Sequence, residues 1–340
     1  RHAVEEYGKV WSEVGNIVTN GPFKLESWQP GKSIVLVRNE DYQRRIGGNL
    51  QRVELRLLSI ADLVQAEEYE SDNLDVINLW GLIPEKLDRM KHRHFGEYVS
   101  SPVMTTYYIG FNAARSPFDN PSVRQAFVMA TDRIQFLQGA LSLYPPPTGG
   151  FIPPGMPGHS PGIGLACDPK RAQQLMAESG YPEGDGFPVI EVIFPTEGDQ
   201  SDVQLLHKKF FQTQWHENLG IESKWEFLEF RAFLSRFQSE QPDMYFMGWS
   251  ADYPDPYNFL AEASCLKWTG WQDDVYDRLQ EISRRIQDQA ERLRLLQEAD
   301  RILMDEAPIM PLYYGRSHLL VKPWVKRYVE DWKDIILEPH

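Results

Sequence analysis

The chain has 340 residues, with 35 Lys and Arg against 49 Asp and Glu, which gives a formal net charge of −14. A chain this acidic lacks the basic surface that binds a nucleic-acid backbone, so nucleic acid is excluded as the main partner. Hydrophobic residues make up 42% of the chain and aromatic residues 12%, which excludes a disordered chain and predicts about two domains. No apolar stretch reaches the roughly 18 residues that a membrane-spanning helix needs.

The elements predicted in the first half of the chain alternate between strands and helices, which is typical of an α/β fold. Runs of β-branched residues predict strands at residues 33–38, 52–58, 75–78 and 104–111. Helical spacing of apolar residues predicts helices at residues 60–71, 83–91 and 120–130. Residues 144–167 contain seven prolines and are predicted to form a long ordered loop, because proline lacks the N–H that central strands and helices use.

The second half continues the same alternation. Helices are predicted at residues 169–179, 202–218 and 230–238, and strands at residues 190–195, 222–228 and 243–248. Two charged helices follow, with apolar residues at helical spacing from Val275 to Ile286 and from Leu293 to Leu303. The charges from Arg284 to Arg294 are interpreted as a solvated face. Two closing strands are predicted at residues 309–314 and 319–321.

Catalytic and metal-binding signatures are largely missing. The glycine pattern that begins at Gly162 has Cys167 where a dinucleotide-binding loop needs its third glycine. His92 and His94 alternate as neighbours on one face of a strand would, but no other ligand stands at metal-binding spacing, so we interpret them as solvent-exposed. Cys167 and Cys265 are predicted to be free thiols, although a bond between them stays open. We predict no catalytic residue, no metal site and no cofactor.

The densest group of polar and aromatic residues lies from Gly248 to Leu260 (GWSADYPDPYNFL), directly after a predicted strand. Ligands of α/β proteins collect at the carboxyl ends of strands, so this segment is a candidate ligand-binding loop. Two alternatives stay open. In one, Asp252 and Asp255 cap the next helix and Trp249 fills core. In the other, the two carboxylates form the acid/base pair of an enzyme.

Several blocks of the sequence resemble the family 5 extracellular solute-binding proteins, the oligopeptide- and dipeptide-binding receptors of bacterial ABC importers. The blocks cover essentially the whole chain in the family's order: residues 20–28 (NGPFKLESW), 35–42 (VLVRNEDY), 107–112 (YYIGFN), 117–127 (PFDNPSVRQAF), 132–133 (DR), 168–172 (DPKRA), 179–182 (SGYP), 248–260 and 320–325 (LVKPWV). The segment from residue 107 to residue 133 is the most specific of them. So many blocks in the right order make a chance match very improbable.

The resemblance implies an α/β, periplasmic-binding-protein-like fold of type II, in which two lobes with mixed sheets flanked by helices close on a peptide like a venus flytrap. Asp252 matches the aspartate with which the family's peptide receptors pair the ligand α-ammonium. By the same resemblance, the backbone of Gly248 and Ser250 would bond the peptide main chain. Trp249 would line a side-chain pocket, and Tyr253 belongs to the same ligand-binding loop. The resemblance implies no catalytic activity.

Two departures from the family pattern affect these expectations. Phe246 stands where some members carry a basic residue that meets a peptide carboxylate, so the preferred ligand length stays open. The chain also starts at Arg1, shortly before the first block, whereas members carry a further N-terminal stretch. We therefore expect residues 1–103 and 307–340 to form an incomplete first lobe and residues 104–306 to form the second lobe.

The main prediction is the peptide-binding component of an ABC importer, a monomer that works with permease subunits in the periplasm or outside the cell, with a lipid anchor on a missing N-terminus as a further expectation. The alternative is the ligand-sensing domain of a larger membrane-bound or transcriptional regulatory protein. A signal peptide or lipobox before Arg1 would favour transport, and a helix-turn-helix or kinase module would favour regulation. Peptides, opines, metal chelates and oligosaccharides all stay open as the solute.

Overall fold

The computed structural model describes residues 2–58, 64–79, 82, 84–140, 144–196, 202–326 and 336–337. The chain divides into two compact units. The first unit comprises Arg1–Leu82, Lys86–Ser100 and His318–His340, and the second comprises Ile83–Glu85 and Ser101–Ser317. In the described ranges, no helix is both long enough and apolar enough to cross a membrane.

Strands and helices alternate along most of the chain. The described strands are β1 (Phe23–Gln29), β2 (Ser33–Arg38), β3 (Arg52–Arg56), β4 (Val76–Asn78), β5 (Tyr98–Phe111), β6 (Ile190–Thr196), β7 (Ser223–Glu229), β8 (Met244–Ser250), β9 (Ile309–Val321), β10 (Val325–Lys326) and β11 (Ile336–Leu337). The described α-helices are α1 (His2–Tyr7), α2 (Val64–Glu70), α3 (Pro84–Arg93), α4 (Pro121–Met129), α5 (Arg133–Ala140), α6 (Pro169–Glu178), α7 (Asp202–Leu219), α8 (Phe230–Ser239), α9 (Ser264–Lys267), α10 (Asp274–Ser283) and α11 (Gln289–Glu306).

The first unit contains a three-stranded antiparallel sheet in the order β1-β2-β3. Alternation of side chains along a strand turns one face of the sheet inward. Phe23 of β1 and Leu50 are buried there, and they pack with Val321 and Val325 into the core of this unit. The short strand β4 pairs with the last residues of β9.

The second unit is built on a mixed sheet, in which β9, β5, β8, β6 and β7 lie side by side in that order. β5 and β8 are antiparallel, with Thr105 opposite Ser250 and Phe111 opposite Met244. β6 is parallel to both of its neighbours, β8 and β7. β8 is therefore an interior strand of the sheet, and its carboxyl end leads directly into the candidate ligand-binding loop.

Both faces of this sheet are covered by apolar side chains. Ile109 and Met244 belong to one buried cluster, while their chain neighbours Tyr108 and Tyr245 belong to another. Consecutive residues of a strand point to opposite faces, so the two clusters lie on the two sides of the sheet. This burial on both sides explains the nearly continuous apolar runs of β6 and β8.

Side-chain caps begin several of the helices at the predicted places. Asn120 accepts a hydrogen bond from the backbone N–H of Ser122 at 2.9 Å, and Asp168 accepts one from Arg171 at 3.0 Å. A proline follows each of these two caps at the first helical position, where its missing N–H leaves no hydrogen bond unmade. The helix predicted from the Asn120 signal is therefore confirmed.

The prediction of two closing strands is wrong, because β9 runs without a break from Ile309 to Val321. The predicted gap between the two strands begins at Gly315. A Cβ atom on Gly315 would lie 2.7 Å from Cβ of Thr105. The glycine therefore allows β9 to pass close to β5 and does not end the strand.

Three further expectations need correction. The strand predicted at residues 52–58 ends at Arg56. His92 lies on helix α3 and His94 follows that helix, so the two do not lie on a strand. Strand β1 and helix α5 were not predicted, although Asp132 accepts a hydrogen bond from the N–H of Gln135 at 2.9 Å and caps α5. Part of the helix predicted at residues 60–71 falls outside the described residues.

The proline-rich loop is ordered, as predicted, and its residues 149–153 are buried. The Thr106 hydroxyl donates to the carbonyl of Phe151 at 2.8 Å, and the Tyr314 hydroxyl donates to the carbonyl of Gly150 at 2.9 Å. The N–H of Phe151 donates to the Asp300 carboxyl group at 2.8 Å. Backbone groups that no strand satisfies are thus satisfied by buried side chains.

Candidate functional site

Strand β8 brings Gly248, Trp249 and Ser250 to the start of the candidate loop. Gly248 lies opposite Tyr107 of β5, and a Cβ atom there would lie 2.8 Å from Cδ1 of the Tyr107 ring. Glycine therefore lets the Tyr107 ring lie against the strand. The hydroxyl oxygen of Ser250 lies 2.8 Å from that of Thr105, which leaves the Ser250 backbone as the part that can meet a ligand.

The pattern of hydrogen bonds between β5 and β8 fixes the direction of each backbone group. At one end of the register, the N–H of Ala251 donates to the carbonyl of Met104 at 2.8 Å. At the other end, the N–H of Asn112 donates to the carbonyl of Asp243 at 2.9 Å. Hydrogen bonding alternates along antiparallel strands. The odd-numbered residues from 243 to 251 therefore bond to β5, and the even-numbered ones face the opposite edge.

The backbone groups of Gly248 and Ser250 accordingly face the β6 side of β8. β6 pairs with β8 only at Met244 and Tyr245. Within the part of the chain that the structure describes, Gly248 and Ser250 have no strand partner on that side. The end of β8 thus presents a short edge to which an extended ligand can add.

The side chain of Asn258 organises the loop that follows. Asn258 is completely buried, and its Oδ1 accepts hydrogen bonds from Nε1 of Trp249 at 3.0 Å and from the N–H of Asp252 at 3.2 Å. Its Nδ2 donates to Oδ2 of Asp252 at 3.0 Å and to Oε2 of Glu262 at 3.1 Å. One amide therefore connects the end of β8, the loop and the π-helix Asn258–Glu262.

The carboxylate of Asp252 is exposed, and only one of its oxygens is engaged. Oδ2 accepts the hydrogen bond from Asn258, while Oδ1 has no hydrogen-bond partner among the described residues. No ion pair with a described Lys, Arg or His neutralises the Asp252 charge. This carboxylate is therefore available to a cationic or hydrogen-bond-donating ligand.

Tyr253 is held within the loop. Its hydroxyl donates a short hydrogen bond to Oε2 of Glu262. This bond raises the pKa of Tyr253 to about 12, with burial and the negative charge of Glu262 adding to the effect, so the phenol stays neutral at physiological pH. The ring itself is 42% exposed and can contact a ligand.

Asp255 differs from Asp252, because other residues of the chain bond both of its carboxylate oxygens. Nη1 and Nη2 of Arg292 donate to its two carboxylate oxygens at 2.9 and 2.7 Å, and Oδ1 also accepts from the N–H of Tyr257 at 2.9 Å. Burial raises the pKa of Asp255, but the bonds from Arg292 and Tyr257 outweigh burial and lower it. The capping alternative is thus right for Asp255. A carboxylate bound to Arg292 on both oxygens cannot serve as a general acid or base.

The same ion pair corrects the interpretation of residues 284–294 as a solvated face. The Arg292 side chain is only 15% exposed and points from α11 to the loop. Arg294, two positions further on, is 63% exposed and pairs with Glu291 on its own helix. Helix α11 therefore turns Arg292 inward and Arg294 toward solvent. The spacing of charges along the sequence did not distinguish these two arginines.

Phe246 lies among aromatic rings. Its ring stacks on Phe194 with centroids 4.1 Å apart and lies near the rings of Tyr107 and His207. Burial lowers the pKa of His207 to about 4, against a weaker effect of its bond to the Val203 carbonyl, so His207 is neutral at physiological pH. None of these three rings therefore offers a positive charge to a ligand carboxylate.

The described residues hold no cluster of three or more His, Cys, Asp or Glu that could bind a metal ion. Cys167 is an exposed free thiol, and the side chain of Cys265 lies outside the described residues. His92 is exposed as expected, with 74% of its side chain accessible. His94 is only 14% exposed and pairs with carboxylates of its own unit, so the expectation of solvent exposure is wrong for His94.

Among the described residues, β8 thus ends in an edge without a strand partner, and the exposed carboxylate of Asp252 beside it has no ion pair. Residues 2–270 of the chain match the bacterial extracellular solute-binding proteins of family 5. The chain belongs to this family, whose members are binding receptors and not enzymes.

Individual relatives extend the similarity over nearly the whole chain. The chain is 28% identical to the periplasmic oligopeptide-binding protein OppA of Escherichia coli over 96% of its own length and 60% of that protein. It is 26% identical to the dipeptide-binding protein DppE of Bacillus subtilis over 92% and 58% of the two lengths. The chain thus spans about 60% of the length of these curated relatives.

Solved structures confirm the predicted type II fold. A periplasmic oligopeptide-binding protein of Borrelia burgdorferi is similar with a TM-score of 0.81 and 27% identity, over 98% of this chain and 68% of that one. The murein tripeptide-binding protein MppA of E. coli has a TM-score of 0.82 at 22% identity, over 100% and 68% of the two chains. The similarity to MppA supports the fold alone.

The sequence identified the loop but not the importance of two residues that hold it, Asn258 within the loop and Arg292 on α11. Asn258 lay within the quoted segment, and Arg292 lay 37 positions from its partner Asp255. The signal for Asn258 was available, since an Asn inside an apolar Asn-Phe-Leu run must satisfy its amide if it is buried. No local signal identified Arg292, because its neighbours on α11 are also charged.

Proposed function

We propose that the protein binds peptides through the carboxylate of Asp252 and the free edge of β8. The observation that supports this most directly is the exposed carboxylate of Asp252, which has no counterion among the described residues. It lies two residues beyond Ser250, whose backbone faces the side of β8 where no described strand pairs with it. A peptide carries a cation at one end and hydrogen-bonding groups along its length. It therefore matches both features with one molecule.

The ammonium group of the peptide would meet Oδ1 of Asp252. A hydrogen bond between charged partners contributes about 1.5 to 3 kcal/mol, more than a neutral one. Asn258 already holds Oδ2, so the carboxylate loses little rotamer freedom when a ligand arrives. The affinity of the site should therefore depend strongly on a free amino terminus.

The peptide main chain would add to β8 at Gly248 and Ser250. Strand addition takes its affinity from backbone groups that every peptide has, so it accepts varied sequences. The side chains of Trp249 and Tyr253 would border the bound peptide, and water would fill the space that small ligand side chains leave. The neutral surroundings of Phe246 favour ligands whose carboxyl end lies elsewhere.

The comparison proteins support the setting of this proposal. OppA of E. coli is named as a periplasmic oligopeptide-binding protein, and the family is extracellular by name. We propose that this protein likewise works outside the cytoplasm, as the monomeric solute-binding component of an ABC importer with permease subunits as partners. Residues 1–103 with 307–340 would then belong to one lobe of the receptor, and residues 104–306 to the other.

Asp252→Asn should weaken the binding of an unmodified tripeptide about tenfold or more, because the variant keeps the side-chain shape and loses the charge that the ammonium meets. Isothermal titration calorimetry of the purified protein with the tripeptide and with its N-acetylated form measures the effect. The wild type should distinguish the two ligands strongly, and the variant should distinguish them weakly.

Asp277→Asn is the matched control, because Asp277 is an exposed aspartate on α10 of the same unit. This control should leave both affinities unchanged. Equal binding of the two ligands by the wild type would remove the ammonium–Asp252 pair from the proposal. Circular dichroism and melting curves establish that both variants are folded.

A further inference from the structure

The buried amide of Asn258 bonds three other residues in and beside the candidate loop. It bonds the indole of Trp249, the backbone and the carboxylate of Asp252, and the carboxylate of Glu262, at 3.0 to 3.2 Å. Its two acceptor and two donor positions are all in use. A buried side chain with this many partners holds one orientation.

From this network we infer that Asn258 is a positioning residue for ligand binding, which aims the free oxygen of Asp252 at the amino terminus of a bound peptide. The inference rests on the proposed function. Asn258 bonds Oδ2 of Asp252 from one side and the Asp252 N–H from the other. Both ends of that residue are therefore fixed by one amide, and Oδ1 is left for the ligand.

The choice of amide follows from its chemistry. An aspartate at position 258 would supply the acceptor for Trp249 and for the Asp252 N–H, but it would turn a second carboxylate oxygen toward Asp252 and Glu262. A serine has one hydroxyl and cannot make the four bonds. Only an amide offers two donors on one side and an acceptor with two lone pairs on the other.

The Nδ2 group also lies between two carboxylates. It donates to Asp252 at 3.0 Å and to Glu262 at 3.1 Å, so it offsets the repulsion between their negative charges in a place where no described arginine or lysine pairs with either. Glu262 is held further by the Tyr253 hydroxyl. Without Asn258 the two carboxylates would be free to move apart, and Asp252 would lose its direction.

Asn258→Leu tests this role, because leucine keeps the size of the side chain and removes all four bonds. The readout is the ratio of two dissociation constants, that of an N-acetylated tripeptide over that of the same tripeptide with a free amine, measured by calorimetry on the purified protein. We expect the ratio to fall at least about fivefold in the variant. A residue that only supports the fold would weaken both ligands equally and leave the ratio unchanged.

Asn112→Leu is the matched control. Asn112 is also buried, at 3% exposure, and its amide makes two hydrogen bonds at the other end of the β5–β8 pair. This variant should lose stability and keep the wild-type ratio. If Asn258→Leu does not fold, Asn258→Ser carries the same test, since one hydroxyl replaces one of the four bonds and an intermediate ratio is expected.

The outcomes separate the inference from the proposed function. A wild-type protein that binds both tripeptides equally removes the ammonium–Asp252 pair and with it the positioning role. A wild-type preference for the free amine that persists in Asn258→Leu or Asn258→Ser overturns the role of Asn258 and leaves the proposed function in place. A reduced ratio in the Asn258 variants, with the Asn112 control unchanged, supports both.

Discussion

The variants Asp300→Asn and His207→Phe should depart from the wild-type stability in opposite directions as the pH changes. As the pH rises from roughly 4 to 7, the unfolding free energy of Asp300→Asn should increase relative to that of the wild type by about 1.4 kcal/mol for each pH unit. His207→Phe should gain a similar amount for each unit as the pH falls from about 6.5 to about 4. Both groups are completely buried, which is the cause of the two effects.

Asp300 binds its proton more tightly in the folded protein than in the unfolded chain. Burial raises its pKa to about 7, although bonds from the N–H groups of Phe151 and Ile152 act in the other direction. The titratable groups that face it are the phenols of Tyr276 and Tyr314, whose pKa values are raised by burial first and by the Asp300 charge second, so both phenols stay neutral. Because the folded state holds the proton, stability is lost as the pH rises through this window, by about 4 kcal/mol in total.

His207 has the reverse linkage. Its ring lies among Phe136, Phe194 and Phe246, and burial lowers its pKa to about 4, against the weaker effect of the Val203 carbonyl. The unfolded chain takes up a proton near pH 6.5 and the folded protein does so only near pH 4. Stability is therefore lost as the pH falls between these values, by about 3 kcal/mol in total.

Urea unfolding of the wild type and of each variant at half-unit intervals from pH 4 to pH 8 measures these differences. In the wild type the two effects oppose each other between about pH 4 and pH 6.5. Each single variant removes one of them. Parallel pH profiles for the wild type and Asp300→Asn would show that Asp300 is ionised in the folded protein throughout this range. Parallel profiles for the wild type and His207→Phe would show that the stability does not depend on the protonation of His207.

Arg124→Met should cost about 3 kcal/mol of stability, because it leaves buried carbonyl groups without donors. Arg124 is 2% exposed. Its Nη1 donates to the carbonyl of Phe118 at 2.7 Å, and its Nε and Nη2 donate to the carbonyl of Glu306 at 3.1 and 2.8 Å. Burial lowers its pKa to about 10, with Glu306 and Asp119 acting against this, so the guanidinium stays charged at neutral pH.

The position of these bonds explains the size of the effect. Glu306 is the last residue of α11, and Ala307 follows it in the left-handed conformation with φ of 50°. Arg124 thus satisfies the end of a helix from a separate element, α4. Arg171→Met is the control, since Arg171 is 43% exposed and pairs with Glu178 at the surface, and its loss should be below about 1 kcal/mol. Equal losses for the two variants in urea unfolding would contradict the structural role of Arg124.

Local patterns predicted most of the second unit correctly. The caps at Asn120 and Asp168, the prolines after them and the apolar runs of β6 and β8 are signals that neighbours along the chain create. They therefore appear in the sequence itself. The predicted gap in β9 begins at Gly315, and in the structure this glycine lies against Thr105 of another strand. A glycine required by packing cannot be distinguished in the sequence from a glycine that ends a strand.

Part of the candidate site could likewise be predicted from the sequence, and part depends on contacts between distant residues. The sequence located the loop from Gly248 to Leu260 and, through the resemblance, the carboxylate of Asp252. The separate roles of Asp252 and Asp255 depend on Arg292, which lies 37 residues away from Asp255. The direction of the Gly248 and Ser250 backbone depends on the register with β5.

By itself the sequence predicted the family, most of the strands and helices in their order, and the candidate ligand-binding loop, because residues close in the chain set turns, caps and periodicity. Only the tertiary structure decided which carboxylate is neutralised and which is free, and which edge of β8 is open. Those properties are set by distances between residues far apart in the chain. Asn258 belongs to both levels: its place in the loop follows from the sequence, and its proposed positioning role follows from the four groups that folding brings around it.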